Sequence, residues 1–160
     1  MAQDQEPALL VAEGRWRAVR KHRHRYSGST KEIGWFTVQR TGAHPLFDGL
    51  PDSFTPFHWH GETFDLPHEG KLLAKSEITE TQAFAVGQRV LGLQFHMEAT
   101  EDSVRALLKG AAHEIGHGVF EQQPTTILAS IDQCESLHPL LDTVLDRLTG
   151  FPASCDCLAR

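Results

Sequence analysis

Short runs of apolar, aromatic and β-branched residues follow one another at close spacing between residues 34 and 96. Runs of this kind, separated by glycine and proline, are typical of strands joined by turns. The predicted strands are GWFTVQR, FTPFHWH, KLLAKS, TQAFAV and RVLGLQFH, the second interrupted by Pro56. A short helical turn is predicted at 45–49, between the first two runs. We therefore expect residues 34–98 to form short strands of one sheet.

The spacing of apolar residues changes after Glu98. Thr100 is a candidate N-cap, and acidic residues follow it at 101 and 102, where the positive helix end favours them. Apolar residues then recur three or four positions apart, at Val104, Leu107, Leu108, Ala111 and Ile115. This pattern predicts a helix near 101–115. A last helix is predicted over 138–149, with Pro139 at its first position and Gly150 at its end. Strands followed by helices indicate an α/β or α+β domain.

The chain has 160 residues, enough for one domain, and its net charge of −6 is unevenly distributed. Residues 1–40 hold eight Lys/Arg against four Asp/Glu, a net charge of +4, so the other 120 residues carry −10. The positive charge concentrates in RWRAVRKHRHRYSGST, where aromatic residues among the bases could bind nucleic acid. The alternative, a solvated and poorly ordered basic segment over 1–30, is favoured because the electrostatic footprint is weak. Nucleic acid is therefore not an expected partner.

Membrane and secretory classes are not expected. No apolar run approaches the roughly 18 residues of a membrane helix, and the first residues lack the cationic start and apolar centre of a secretory signal. Three cysteines, Cys134, Cys155 and Cys157, argue against a disulfide scaffold and fit the cytoplasm. The last two could clasp a metal, but no second cysteine pair accompanies them. The tail 151–160 is therefore expected to have no chemical role.

The run GLQFHMEAT places His96 two residues before Glu98 at the end of a predicted strand. Residues two apart on extended backbone point to the same side. A carboxylate beside a histidine can hold its tautomer and stabilise the imidazolium, as in catalytic triads. From the residues alone, chance at a strand end remains the alternative.

Five segments together carry a family resemblance: KEIGWFTV, HPLFDGLPDSF, FHWHGETFDLP, LLAKSEITETQAF and RVLGLQFHMEAT. In order and spacing they resemble class I glutamine amidotransferase domains, most closely the stand-alone proteins similar to the glutaminase half of GMP synthase. The resemblance runs from Lys31 to Glu98 and more loosely through the last helix. Residues 31–150 are therefore expected to be the C-terminal part of such a domain.

The resemblance implies an α/β, flavodoxin-like fold, truncated on its N-terminal side. It implies glutamine as substrate, a synthase or a second copy of the chain as partner, and no cofactor. In the family a Cys-His-Glu triad hydrolyses the side-chain amide of glutamine. His96 then corresponds to the general base and Glu98 to the carboxylate that orients it, while His60 and Glu62 are expected to line the substrate pocket.

The family's nucleophile lies in a Gly-x-Cys-x-Gly elbow, upstream of the segment that matches KEIGW. This sequence contains no such motif, and its three cysteines all follow His96 without flanking glycines. We therefore expect no release of ammonia from glutamine by this chain alone. A non-catalytic scaffold or binding role stays open as an alternative.

Two histidine patterns could bind metal. HEIGH, residues 113–117, would place His113 and His117 on one face of a helix with Glu114 as general base, as in zinc peptidases, and Glu135 could be a third ligand. Against this, nearby glycines place the motif at a helix end. His58 and His60 should project from one face of a strand, but the sequence offers no third ligand nearby. No residue is therefore assigned to a metal.

Overall fold

A computed structural model describes residues 31–150 and the backbone of one strand at Ala8–Val11. The strands are β1 (Ala8–Val11), β2 (Glu32–Trp35), β3 (Val38–Arg40), β4 (Ser53–Phe54), β5 (Phe57–His60), β6 (Gly70–Lys75), β7 (Ala83–Val86) and β8 (Val90–Leu93). The α-helices are α1 (Glu101–Ala111), α2 (Pro124–Ala129) and α3 (Gln133–Thr149), and short 3₁₀ turns lie at Pro45–Phe47 and Ala112–Glu114. None of the helices in this part of the chain is long and apolar enough to cross a bilayer.

The strands form two sheets, so the expectation of one sheet over residues 34–98 is wrong. Six strands pair in the order β1-β8-β7-β6-β3-β4, and β2 pairs with β5 separately. Among the strand pairs of the described residues, only β1–β8 is parallel. Two of the predicted strands each divide between the sheets: GWFTVQR into β2 and β3, and FTPFHWH into β4 and β5. Pro56, which has no N–H to donate, lies at the second division. There the Thr37 and Thr55 hydroxyls, 3.0 Å apart, connect the two places where the chain passes from one sheet to the other.

Strand β1 lies within the segment 1–30, which is expected from its sequence to be poorly ordered. For residues 8–11 this expectation needs correction, because they pair in register with β8 from Ala8↔Val90 to Val11↔Leu93. The pairing occupies an edge of β8 whose backbone groups would otherwise lack strand partners. The rest of the basic segment and the tail 151–160 lie outside the described residues, and the domain boundary at Lys31 stays a prediction.

Helix α1 begins as predicted, at a capping box in which Thr100 Oγ1 accepts from the Ser103 N–H at 3.1 Å and Ser103 Oγ accepts from the Thr100 N–H at 2.9 Å. Helix α3 ends at Gly150, whose φ of +72° suits glycine. The predicted start of this helix at residue 138 is wrong, because α3 begins at Gln133 and holds Pro139 in its interior. Buried Cys134 and Leu137 extend the apolar face ahead of the proline, and this packing outweighs the backbone bond that Pro139 cannot make. The short helix α2 was not predicted.

Helices and sheets meet in one hydrophobic core. Its fully buried side chains include Val38, Phe47, Leu91, Phe95 and Ile127. The Trp35 indole N–H donates to the Ile127 carbonyl at 3.0 Å and so connects β2 to α2. Strand β5 is connected to the chain after β8 by two backbone bonds, His96 N to Phe57 O at 2.8 Å and Phe57 N to His96 O at 3.3 Å. These bonds fix the position of His96 and Glu98 beside β5.

Candidate functional site

His96 and Glu98 form a close pair just past the end of β8. Phe95 and Met97, which alternate with them, are buried in the core, so the pair faces the other side of the extended backbone. His96 Nδ1 lies 2.6 Å from Glu98 Oε1. The expected hydrogen-bonding reach between these two side chains is confirmed.

The protonation of this pair follows from its surroundings. Burial raises the pKa of the Glu98 carboxyl, but the hydrogen bond from His96 and its charge outweigh this, and the net pKa is lowered. An ionised carboxylate only accepts hydrogen bonds, so His96 Nδ1 carries the proton that it donates to Glu98. The lone pair of a neutral His96 ring is then on Nε2. The pair can therefore take up a proton at Nε2 while Glu98 stabilises the resulting imidazolium.

The pair lines a cavity of about 480 Å³. The remaining lining residues come from β5, from the residue after Glu98 and from α1: Phe57, Trp59, Ala99, Ser103, Val104 and Leu107. The Trp59 indole N–H donates to Glu114 Oε2 at 3.1 Å, which holds the ring in the wall. A mainly apolar wall with a few polar groups, in this size range, is typical of small-ligand pockets.

His60 and Glu62, the predicted pocket-lining residues, lie on a different cavity. They line a space of about 410 Å³ together with residues 61, 63–65 and 78–81. Phe57 and Trp59 alternate with His58 and His60 along β5, so the two cavities lie against opposite faces of this strand. The structure does not bring His60 or Glu62 into the cavity of His96. Their part in substrate binding stays a prediction.

His58 and His60 meet a third polar residue, Glu32 on β2. The β2–β5 register places Glu32 opposite His60, and all three side chains are largely removed from solvent. His60 Nε2 lies 3.4 Å from Glu32 Oε2 and 3.4 Å from His58 Nδ1, and His58 Nδ1 lies 3.9 Å from Glu32 Oε2. The predicted common face of the two histidines is confirmed. Glu32 was missed, although a glutamate in the apolar strand EIGW signals a buried carboxylate with partners.

Hydrogen bonds keep the Glu32 carboxylate ionised. Burial raises its pKa, but the bond with His60 and other contacts outweigh this, so the net pKa is lowered. Glu32 Oε2 accepts from Gln82 Nε2 at 2.7 Å and from Thr79 Oγ1 at 3.1 Å. Burial lowers the pKa of His58 to about 3, more than the charge of Glu32 raises it. Because the His58 ring is neutral, hydrogen bonds rather than a His58 charge hold Glu32 in its ionised form.

The HEIGH motif does not form a helical metal site. Helix α1 ends at Ala111, a 3₁₀ turn covers Ala112–Glu114, and residues 115–118 are not helical. His113 and His117 therefore do not share a helix face. In the part of the chain that the structure describes, the one group of three residues able to hold a metal is Glu32, His58 and His60. Nothing in the geometry favours the zinc-peptidase alternative.

The described cysteine, Cys134, is poorly suited to act as a nucleophile. It is buried on α3, and burial raises the pKa of its thiol, with nearby acidic residues adding to the effect. A thiol held in its protonated form attacks carbonyl carbon weakly. Cys155 and Cys157 lie outside the described residues.

Curated relatives match this chain over about half its length, and solved structures superpose on about three quarters of it. A glutamine amidotransferase-like protein of Salmonella typhimurium, YfeJ, is 34% identical over 88 residues, which are 53% of this chain and 37% of that protein. The imidazole glycerol phosphate synthase subunit HisH of Neisseria gonorrhoeae is 33% identical over 78 residues, 48% of this chain and 37% of that subunit. A solved glutamine amidotransferase of Thermotoga maritima superposes with a TM-score of 0.68 at 30% identity, covering 76% of this chain and 52% of that one. Over the part that matches, this chain is similar to class I glutamine amidotransferase domains.

The amidotransferase resemblance and the α/β, flavodoxin-like fold are both confirmed for the part that matches. No protein-family model matches the chain. The chain spans 37% of the length of each of the two curated relatives described. A glutamine amidotransferase-like function is supported by these relatives, and what this chain does within it is a matter for proposal.

Proposed function

We propose that this chain provides the general base and its orienting carboxylate for hydrolysis of the glutamine side-chain amide. In this reaction His96 Nε2 takes the proton of a cysteine thiol, and the thiolate sulfur bonds to the amide carbon. The carbon–nitrogen bond then breaks, and the proton on His96 leaves with the amide nitrogen as ammonia. Water cleaves the glutamyl thioester to glutamate and restores the thiol. The observation that carries the proposal is the 2.6 Å His96–Glu98 contact at the wall of a cavity.

The thiol is the part of this chemistry that we assign to another segment or chain. Gly-x-Cys-x-Gly does not occur among the 160 residues, and Cys134 is buried with a raised pKa. Hydrolysis then depends on a segment or partner chain that brings a cysteine thiol to His96 Nε2. We propose a synthase as a further partner, because the relatives named above include a synthase subunit. A second copy of this chain is also a proposed partner, but it has the same cysteines and so is not the source of the thiol. We also propose a cytoplasmic location, because three cysteines, an odd and small number, do not fit a disulfide scaffold.

Ammonia release by the purified chain tests the dependence on an external thiol. We expect no release from glutamine above the background of buffer alone. Variants Cys134→Ser, Cys155→Ser and Cys157→Ser should behave like the parent chain. Turnover by the parent that disappears in one of these variants would identify a nucleophile within the chain and refute the proposal.

The role of the His96–Glu98 pair can be tested without turnover. Nitrogen NMR of labelled histidine should show that the neutral His96 ring carries its proton on Nδ1 and has a bare Nε2. Glu98→Gln should change the tautomer balance of His96, because the carboxylate acceptor is lost. Glu101→Gln is the matched control, since Glu101 is an exposed carboxylate paired with Arg105. A His96 spectrum that does not respond to Glu98→Gln would remove Glu98 from its proposed role.

A further inference from the structure

We infer that Glu32, His58 and His60 form a binding site for one divalent transition-metal ion of the zinc type. The site is separate from the His96–Glu98 cavity, and the inference does not depend on the proposed amide hydrolysis. It assigns a function to the two histidines for which the sequence offered no third ligand. The bound ion would join the two strands of the β2–β5 sheet.

The distances among the three ligand atoms suit a zinc ion. The separations are 3.4 Å from His58 Nδ1 to His60 Nε2, 3.4 Å from His60 Nε2 to Glu32 Oε2, and 3.9 Å from His58 Nδ1 to Glu32 Oε2. A tetrahedral zinc ion with bonds of about 2.1 Å to nitrogen and oxygen holds its ligand atoms about 3.4 Å apart, which matches two of the three separations. Binding therefore requires His58 Nδ1 and Glu32 Oε2 to approach by only about 0.5 Å.

The His58 ring is oriented as a metal ligand requires. Its Nε2 lies 3.1 Å from the Phe36 carbonyl oxygen, which only accepts, so Nε2 carries the proton. The lone pair of His58 is then on Nδ1, the atom that faces His60 and Glu32. Metal-binding histidines commonly donate their second ring nitrogen to a backbone carbonyl in this manner.

Among the three side chains themselves, acceptors outnumber donors without an ion, although Gln82 and Thr79 also donate to Glu32 Oε2. His60 Nε2 can offer one proton to two acceptors, His58 Nδ1 and Glu32 Oε2. Glu32 Oε1 is buried and has no hydrogen-bond partner among the described residues, and Glu32 as a whole is 1% exposed. A buried carboxylate oxygen without a donor is costly, and a cation beside the carboxylate would offset that cost.

An ion can reach the site through the cavity of about 410 Å³. His60 and Thr79, which both contact Glu32, line this cavity. Its lining also includes Glu62, Asp65 and Glu80, whose negative charge attracts cations. Two imidazoles and one carboxylate are a donor set that zinc uses, and the cavity side leaves room for water as a fourth ligand.

Zinc binding by the full chain tests the site. Other residues able to bind zinc outside the described region are first replaced in a common background: His22→Ala, His24→Ala, Cys155→Ser and Cys157→Ser. After dialysis against chelator and titration with zinc chloride, we expect one ion per chain. Substitution by Co²⁺ should give the visible absorption of a four-coordinate ion with nitrogen and oxygen ligands. Zinc should also raise the thermal unfolding midpoint, because it binds only the folded arrangement.

Two ligand variants and one control locate the ion. His60→Gln and Glu32→Gln should each weaken binding by at least about 100-fold, since loss even of an outer partner of a ligand costs about 10- to 100-fold. His113→Gln, an exposed histidine of the HEIGH segment, should bind zinc like the parent. Circular dichroism shows whether each variant is folded. Because His60 lies at the cavity wall, His60→Gln should disturb folding less than Glu32→Gln.

Three results would overturn the inference. Folded parent protein that binds no zinc at about micromolar concentration would exclude a functional site. Zinc that stays bound in folded His60→Gln would place the ion elsewhere. Zinc lost in His113→Gln instead would assign the metal to the HEIGH segment.

Discussion

Replacing Gly34 by alanine should destabilise the domain strongly, although the change adds a single methyl group. Gly34 lies in the middle of β2 with a φ of +119°, a conformation that residues with a Cβ adopt only under strain. A Cβ built there would lie 2.7 Å from Gln122 Cδ and 2.8 Å from Gln122 Cβ. Gln122 cannot move freely, because Oε1 accepts from the Trp35 N–H at 3.0 Å and Nε2 donates to the Trp35 carbonyl at 2.9 Å.

The expected loss in the free energy of unfolding is about 3 kcal/mol. Backbone strain contributes about 1–3 kcal/mol. The two hydrogen bonds to Trp35 contribute about 0.5–1.5 kcal/mol each when the Gln122 side chain is displaced. Reduced freedom of the unfolded chain offsets about 0.4–1 kcal/mol of this.

Urea unfolding followed by tryptophan fluorescence measures the effect, with Gly42→Ala as the control. Gly42 has open space around its Cβ position and no positive φ, so its substitution should change stability by less than about 0.5 kcal/mol. In a Gln122→Ala background, Gly34→Ala should cost less, because the two bonds and the clash with Cδ are already gone, whereas the backbone strain and the close contact with the Cβ of residue 122 are still present. Equal losses in both backgrounds would refute the role given to Gln122, and a loss below about 1 kcal/mol would refute the strain argument.

Three further predictions concern single side chains. Burial, and secondly Lys71, lowers the pKa of His44, whose Nδ1 accepts from the Leu46 N–H at 3.3 Å. The unfolded chain therefore binds the His44 proton more tightly, so the contribution of His44 to stability is complete above about pH 6.5 and decreases below it. Urea midpoints should decrease less on acidification in His44→Asn, which keeps an acceptor but does not titrate. Thr100→Ala should cost about 1 kcal/mol in urea unfolding, since the α1 capping box is lost, whereas a change below about 0.3 kcal/mol would contradict the cap. Trp35→Phe should cost about 0.5–1.5 kcal/mol, because the indole bond to the Ile127 carbonyl is lost while the Ser130 N–H still donates to that carbonyl at 3.3 Å, and calorimetry on both proteins measures it.

Features that depend on near neighbours along the chain were predicted well. The Thr100 cap, the stop at Gly150 and the common face of His58 and His60 all follow from spacings of a few residues. The His96–Glu98 contact belongs to the same class, because two residues apart on extended backbone suffices to bring the side chains together. The family resemblance, which also rests on linear order, indicated the fold correctly.

The sequence by itself thus determined most of the strands between residues 34 and 96, the start of α1, the end of α3, and which neighbours share a face. Only the tertiary structure decided how those faces meet. It divided two apolar runs between two sheets, extended α3 across Pro139, and placed Glu32 beside histidines 26 and 28 positions away. The physical reason is that backbone periodicity acts over a few residues, whereas strand pairing and core packing are set by contacts between distant segments.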